Sequence, residues 1–336
     1  METNTLKKLR KVDNMRVLII ASGGGHTGYG VAVAQHLHRK VDEITAVIPK
    51  NDEWSRELIK PYVDRVIEVP KPRLPGEGLY RVFTGLPRAV LESIWKIGKY
   101  DVVVATGSNH SLAPAVVAKL RGARLVAIES HDRFLSKGKT VSLLEKLGAT
   151  VAIHWGVQKD LYPNGIVGEP IVRKPKYSPM DKGYILVVGG FMGHKRLFDT
   201  FLELEYRNVV MQTGRIDPEK YRKPGWRVFR FDKDLDWWIA HASVVVGHNS
   251  TTILEAAVAY RKSIVIVPNP EWKASASPAE AEILAYILGG RYVYELTPGT
   301  LAHAIEKARR CKNPPAFRLR NGAEILAEKI LEMGRR

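Results

Sequence analysis

Val17-Leu18-Ile19-Ile20-Ala21-Ser22-Gly23-Gly24-Gly25-His26-Thr27-Gly28 is the stretch that decides the fold class. Five apolar residues in a row, without alternation, read as a strand buried on both faces, as in a parallel sheet. The glycines that follow permit a tight turn with bare backbone N–H groups, and the apolar spacing beyond them is helical as far as His38. This strand, turn and helix then recur. Ile44–Ile48, Arg65–Val69, Val102–Ala105, Leu125–Ile128 and Val151–His154 are further short apolar runs, with helical patterns between most of them. A second series opens at Tyr184, with strands expected at Ile185–Val188, Val209–Met211, Val228–Phe231, Val244–Val246 and Ile264–Val267. Alternating strands and helices predict an α/β fold of parallel sheets covered by helices. Gly165–Gly183, with Pro170, Pro175 and Pro179, reads as a linker between the two series. The expected organisation is a basic tail (1–14), a Rossmann-like domain (15–164), the linker (165–183), a second Rossmann-like domain (184–314) and one long C-terminal helix (315–336). Two such domains facing across a cleft would bind ligands at the carboxyl ends of their strands.

Composition narrows the function classes. A chain of 336 residues with 45% hydrophobic content can bury two cores, which excludes a disordered, collagen-like or disulfide-built protein. Cys311 is the single cysteine, so no intrachain disulfide forms. No apolar run approaches the ~20 residues that cross a bilayer. Met1–Asn14 lacks the apolar centre of a signal peptide, and Met15 offers a second start, so a cytoplasmic protein is expected. The formal net charge of +17 favours anionic partners: nucleic acid, phosphorylated substrates or an acidic membrane face. A charge-rich surface of the thermophile kind is the plainer alternative.

Three loops carry residues suited to chemistry. In the first, Gly24, Gly25 and Thr27 surround an anion-binding turn at a helix N-terminus, and His26 is placed as a general base. A capping or phosphate-contacting histidine is the simpler reading of the same residue. The turn lacks dinucleotide GxGxxG spacing, because Asp42 and Glu43 precede the second strand rather than end it. Gly189-Gly190-Phe191-Met192-Gly193-His194, followed by Lys195 and Arg196, repeats this arrangement in the second half. In Gly247-His248-Asn249-Ser250-Thr251-Thr252-Ile253-Leu254-Glu255, the hydroxyls of Ser250, Thr251 and Thr252 suit a phosphate, and Glu255 suits a ribose diol. An ordinary N-cap with an acid in the first turn would look the same. Asp232, Asp234 and Asp236 read as a solvated helix start, no Cys/His cluster has zinc spacing, and the P-loop pattern is absent.

Taken together these residues resemble a known family. Ser22-Gly23-Gly24-Gly25-His26-Thr27, Val104-Ala105-Thr106-Gly107-Ser108, and Ile128-Glu129-Ser130 followed by Arg133, Ser136 and Gly138-Lys139 carry the first half of the likeness. They resemble the acceptor-side subunit of the eukaryotic UDP-N-acetylglucosamine transferase that elongates dolichol-linked glycans. Thr252-Ile253-Leu254-Glu255-Ala256 resembles the donor-binding subunit of that enzyme. Gly189–Gly193 and Gly168-Glu169-Pro170-Ile171-Val172-Arg173 resemble the peptidoglycan UDP-GlcNAc transferases. The chain departs from these families at Asn249, where glycine is usual, and at Phe191-Met192, where a small polar pair is usual. Ser277-Pro278-Ala279-Glu280-Ala281-Glu282 stands where a Gln/Asn pair is expected.

The resemblance implies a GT-B glycosyltransferase with both subunits fused, acceptor half first, that moves GlcNAc from UDP-GlcNAc with inversion. The acceptor would be a sugar on a polyprenyl or dolichyl (pyro)phosphate, with no metal or other cofactor. It makes His26 the catalytic base and Glu129 an acid supporting catalysis from behind it or an acceptor contact, where a strand-end residue pairing with Arg133 is the plainer reading. Gly190, Gly193, Ser250, Thr251, Thr252 and Glu255 would hold the donor, and Gly24, Gly25, Thr27, Ser108 and Arg133 the acceptor phosphate. A UDP-GlcNAc 2-epimerase is the nearest alternative; a basic nucleic-acid-binding protein is a more distant one, and no nucleic acid is expected. Between Lys71 and Tyr100 the cations Lys71, Arg73, Arg81, Arg88, Lys96 and Lys99 outnumber Glu77 and Glu92. Leu79, Val82, Phe83 and Leu86, then Val90, Leu91, Ile94 and Trp95 after Pro87, predict two amphipathic helices on an anionic membrane surface, the inner face of the cell membrane.

Overall fold

The computed structural model describes residues 14–74, 77–78, 80–271, 276–311 and 314–335. Apart from Asn14 the expected basic tail lies outside them, as does Leu79. Among the described residues the strands are β1 (Arg16–Ile20), β2 (Glu43–Pro49), β3 (Arg65–Val69), β4 (Val102–Ala105), β5 (Arg124–Ile128), β6 (Thr150–Ile153) and β7 (Ile166–Val167), then β8 (Ile185–Val188), β9 (Val209–Gln212), β10 (Trp226–Phe229), β11 (Val244–Gly247), β12 (Ser263–Ile266) and β13 (Arg291–Tyr292). The helices are α1 (Gly25–Leu37), α2 (Glu53–Ile59), α3 (Tyr80–Lys96), α4 (Leu112–Leu120), α5 (Lys139–Lys146), α6 (Lys195–Leu202), α7 (Leu235–His241), α8 (Thr251–Val258), α9 (Pro278–Leu288), α10 (Pro298–Arg310) and α11 (Gly322–Gly334).

The strands form two parallel sheets, β3-β2-β1-β4-β5-β6-β7 and β10-β9-β8-β11-β12-β13. Both follow the doubly wound order, stepping outward one way from the first strand and then the other way from the fourth. The strand order therefore reverses between β1 and β4, and again between β8 and β11. At such a reversal the following helices diverge to opposite faces and leave a crevice beyond the carboxyl ends of the two strands. The unbroken apolar run of β1 is explained by its position in mid-sheet. Val17 and Ile19 enter one core, with α1 and α11, while Leu18 and Ile20 enter the core on the other face, with Ala113, Val117 and Leu144.

The chain divides into two compact units, residues 1–130, 137–171 and 322–336 in one, and 131–136 with 172–321 in the other. These boundaries differ from the linear reading in three ways. The supposed linker begins with β7, which pairs with β6, so the first unit extends to Ile171. The C-terminal segment breaks at Leu319–Asn321, and α11 lays Ala323, Leu326, Ala327, Ile330 and Leu331 on the first core. The hexapeptide 131–136 is bound by the second unit: Phe134 and Leu135 donate N–H bonds of 3.0 and 3.1 Å to Glu280, and Asn249 donates to Asp132 at 2.7 Å. Local corrections are smaller. β10 starts at Trp226, two residues before the expected strand, because Trp226 and Val228 are the residues that pack on the core. Pro87 lies inside α3 rather than starting a second helix; the hydrogen bond it forfeits belongs to exposed Phe83, whose carbonyl solvent can satisfy.

Candidate active site

In the first unit the reversal joins the loop after β1 to the loop after β4. His26 is the second residue of α1, half-buried, with Nδ1 2.6 Å from the carbonyl oxygen of Thr106. A carbonyl only accepts, so Nδ1 carries the proton and the lone pair of the neutral ring is on Nε2. Thr106 is fixed in turn, its hydroxyl donating to Ile20 O at 2.7 Å. Gly107 follows with φ +88°; a Cβ there would lie 3.1 Å from the His26 ring, so the close packing of ring on loop requires glycine. Ser108, at φ +63°, continues the same left-handed turn and is half-buried. Gly24 and Gly25 are exposed at the N-terminus of α1, with open space beside Gly24.

Other expected residues of this loop are used internally. Thr27 is fully buried, and its hydroxyl accepts from Gly23 N at 3.1 Å and meets Ser55 Oγ at 2.7 Å. It braces the loop and does not face a ligand, which corrects its assignment as a phosphate contact. Lys71, expected on a basic surface, instead reaches this loop. Its Nζ donates to Ser22 O at 2.9 Å; burial holds its pKa below the usual lysine value, opposed by the charge of Asp52. Glu129 is 1% exposed, and its carboxylate accepts from Ser130 N at 2.7 Å, Gly138 N at 2.8 Å and the Tyr162 hydroxyl. It is an anchor for the loop after β5, not a catalytic acid. Arg133 falls in the second unit, 3.9 Å from Glu280 and donating to Ser136 Oγ, rather than on the first-unit loop.

In the second unit the reversal joins the loop after β8 to the loop after β11, and here two expected elements meet. A Cβ on Gly190, at φ +66°, would lie 2.7 Å from His248 Cε1. The glycine thus lets the histidine lie directly against the turn. His248 is pushed down to about 4 by burial, which the negative charge of Asp132 opposes, and its Nδ1 is buried without a hydrogen-bond partner. Nothing in the local sequence around His248 marks it for this position, because Gly190 is far away in the chain. Gly193, at φ +87°, ends the turn, and His194 caps α6 by accepting from Leu197 N. Ser250 caps α8 by accepting from Ile253 N, so its oxygen serves the helix first. Thr251 and Thr252 are the first two helical residues, half-buried, where backbone N–H groups point out of the helix.

Glu255 lies one turn into α8 and is 6% exposed. Arg173 donates to both its oxygens, at 2.8 and 2.7 Å, and to both oxygens of Asp236, at 3.0 and 3.2 Å. Tyr260 adds a 2.7 Å bond to Asp236. Burial alone would lower the Arg173 pKa, but Glu255 and then Asp236 hold it well above the ordinary value. Glu255 is therefore one jaw of a buried clamp rather than a free ribose ligand. Asp236 is the other jaw, not part of a solvated helix start. Asp232 accepts from Trp238 Nε1, and Asp234 pairs with Lys176. Among the described residues no cluster of three or more His, Cys, Asp or Glu is disposed to hold a metal.

No family model matches the chain, and no curated protein sequence does. Solved structures do. MurG from Acinetobacter baumannii matches with TM-score 0.62 and 18% identity, covering 96% of this chain and 99% of that one. The UDP-GlcNAc 2-epimerase from Neisseria meningitidis, bound to UDP-GlcNAc, matches with TM-score 0.65 and 11% identity over 95% and 100%. CalG4, the calicheamicin glycosyltransferase, matches with TM-score 0.57 and 15% identity over 96% and 95%. With the two doubly wound units, these matches establish the GT-B fold.

Proposed function

We propose that the protein is an inverting glycosyltransferase that moves N-acetylglucosamine from UDP-GlcNAc to a sugar carried on a lipid (pyro)phosphate. The observation that carries this reading is His26: an imidazole at the first strand-order reversal, tautomer fixed by Thr106, with the basic nitrogen turned away from the tether. Similar folds solved as glycosyltransferases, and one solved with UDP-GlcNAc, support the substrate class. His26 is the base, and the loops after β8 and β11 hold the donor. The diphosphate lies on Gly190 and Gly193, His248 and the N-terminus of α8, whose N–H groups and partial positive charge suit an anion without a metal. The acceptor hydroxyl attacks the anomeric carbon as the bond from that carbon to the diphosphate oxygen breaks. Its proton passes to His26 Nε2, and UDP leaves as the anion. Gly24, Gly25 and Ser108 face the acceptor phosphate.

The acceptor's lipid explains α3. Tyr80, Phe83, Leu91, Ile94 and Trp95 are exposed along one stripe, with Phe83 at 81% and Trp95 at 86%. Ala89 and Ser93 on the opposite face are buried, and Leu86 and Val90 pack on the core. Arg81 and Arg88 stand beside the exposed stripe at helical spacing, and Arg88 and Lys96 both pair with Glu92. An apolar stripe carrying tryptophan beside a basic flank fits the headgroup region of an anionic bilayer. No helix among the described residues is long and apolar enough to cross a membrane. The test is incubation with radiolabelled UDP-GlcNAc and a membrane lipid extract, with and without EDTA. Label should enter the organic phase under both conditions. UDP-GlcNAc turned over without lipid, with the label recovered in an epimeric UDP-sugar, would replace this reading with the epimerase one.

A further inference from the structure

His26 stands on a turn that its own sequence does little to fix. Gly23, Gly24 and Gly25 precede it, the first two at φ +88° and +55°. Helix α1 begins at Gly25 with no side-chain cap, so the hydrogen bond that usually sets where a helix starts is not made. Glycine passes between turn conformations at little steric cost, so the peptide groups of this turn rotate unless something outside it holds them. A base must nevertheless meet a substrate proton within hydrogen-bond reach, and a small misplacement costs turnover.

The peptide group joining Ser22 to Gly23 is held at both ends. Its N–H donates to Thr27 Oγ1 at 3.1 Å, and its carbonyl oxygen accepts from Lys71 Nζ at 2.9 Å. The first bond is local, whereas the second comes from the loop after β3. Lys71 is an expensive brace for the fold. Burial disfavours its charge, and Asp52, the carboxylate that offsets this, already accepts from Ser55 N and Oγ at 3.0 and 2.7 Å. Cations kept in such surroundings gather at functional sites.

A strap, residues 70–73, delivers Lys71 and is itself fixed. Val69 O, where the strap begins, accepts from Lys50 N at 3.1 Å and lies 3.1 Å from His110 Nε2. Asn109 donates to Arg73 O at 3.0 Å at the other end. Between them Pro72 rests on α3 at Gly85, where a Cβ would lie 2.2 Å from Pro72 O. That contact is with backbone, so the seat requires glycine. Lys96 of the same helix donates to Glu68 O at 2.8 Å. The strap thus ties the turn bearing His26 to the helix whose exposed stripe suits a bilayer.

We propose that Lys71 is a positioning residue for the base: it fixes the Ser22–Gly23 peptide, and with it the start of α1, to a strap seated on α3. The inference rests on the assignment of His26 as the base of a glycosyl transfer. Helix and imidazole then keep a set separation, so an acceptor presented along α3 meets the base at a defined place.

Lys71→Met keeps the stem and removes the donor, and Lys71→Arg restores a donor on a similar stem. In Lys71→Met, turnover of UDP-GlcNAc into membrane lipid extract should fall ~10²-fold, while calorimetry gives a UDP affinity within about twofold of wild type. Lys71→Arg should recover roughly tenfold of that loss. NMR of protein carrying isotope-labelled histidine reads the turn without any substrate, the His26 ring being assigned by its absence in His26→Ala. The wild-type ring should carry its proton on Nδ1, and Lys71→Met should show both tautomers. Gly85→Ala displaces the strap from α3 with Lys71 intact, and should shift the same ring signal. The proposal is overturned if the ring signal and turnover of Lys71→Met match wild type, if Lys71→Arg is as slow as Lys71→Met, or if Gly85→Ala leaves the ring signal unchanged. Wild-type protein that transfers no sugar would refute the function instead, and the ring signal would still decide the part played by Lys71.

Discussion

Arg173→Met removes the cation from the buried clamp and leaves the volume of its side chain nearly filled. Arg173, Asp236 and Glu255 retain only 17%, 12% and 8% of their side-chain exposure, so solvent screens little of the interaction. Removing one partner of a buried ion pair costs about 3–5 kcal/mol. Two carboxylates are stranded here at once, which puts the expected loss in the upper part of that range, ~4–5 kcal/mol. At roughly 2–4 °C per kcal/mol for a unit of this size, the melting transition should fall by about 8–20 °C in scanning calorimetry at pH 7. Arg173→Lys should lose less, because an ammonium keeps the charge but not the fork that reaches four oxygens. Combining Arg173→Met with Asp236→Asn and Glu255→Gln should recover much of the loss, since no buried charge then remains unpaired. A fall below about 3 °C in Arg173→Met, or no recovery in the triple variant, would refute the clamp as described.

His26→Ala should lower turnover by ~10²–10⁴-fold with UDP affinity unchanged, measured by lipid-phase incorporation and calorimetry; loss of UDP binding with residual turnover near wild type would make His26 a phosphate ligand. Wild-type protein should pellet with anionic liposomes at low salt and be released at high salt, and Phe83, Leu91 and Trp95 replaced together by Ser should abolish pelleting while the melting temperature holds. Acid should destabilise the fold through buried neutral histidines. His110 is pushed down to about 3 by burial and then by the charge of Lys71, and His194 to about 4 by burial and then by His248. Both bind fewer protons folded than unfolded, so their stabilisation is complete above their ordinary value of 6.5 and is lost as pH falls toward 4. Melting temperatures should drop across that window, and His110→Gln should flatten the profile.

How far the sequence could be read follows from which interactions are local. β1, β4 and β8 were legible because a strand covered on both faces leaves no polar residue in the run, and the glycine turns were legible because their conformation restricts residue choice. β7 and β13 are two residues each, too short for any periodicity to register. The assignment of 131–136 to the second unit depends on Glu280, almost 150 residues away, whose carboxyl is held below the usual range: burial would raise it, but N–H bonds from Ser277, Leu135 and Phe134 outweigh that. The internal partners of Glu129 and Glu255 were hidden for the same reason. A carboxylate near a strand end looks identical in sequence whether it faces a substrate or a buried partner, and only Tyr162 or Arg173, contributed from elsewhere, decides.

The strand order of the first sheet recurs in the second up to its last strand. β1 and β8 occupy the same place in their sheets, as do β4 and β11, while the turns that follow them differ in length. At the first, the histidine rides on the helix after the first strand and leans on the loop after the fourth, with its proton position set by a carbonyl. At the second, the histidine comes from the loop after the fourth strand and leans on the glycine turn after the first, pushed down to about 4 and with a nitrogen unpaired. A ring that carries a defined lone pair can take a proton. A buried neutral ring is poised to gain one when an anion arrives beside it, because the anion lowers the cost of the imidazolium. The same residue type on the same scaffold thus suits a base in one unit and a phosphate contact in the other. His248→Ala should accordingly weaken UDP binding where His26→Ala leaves it intact.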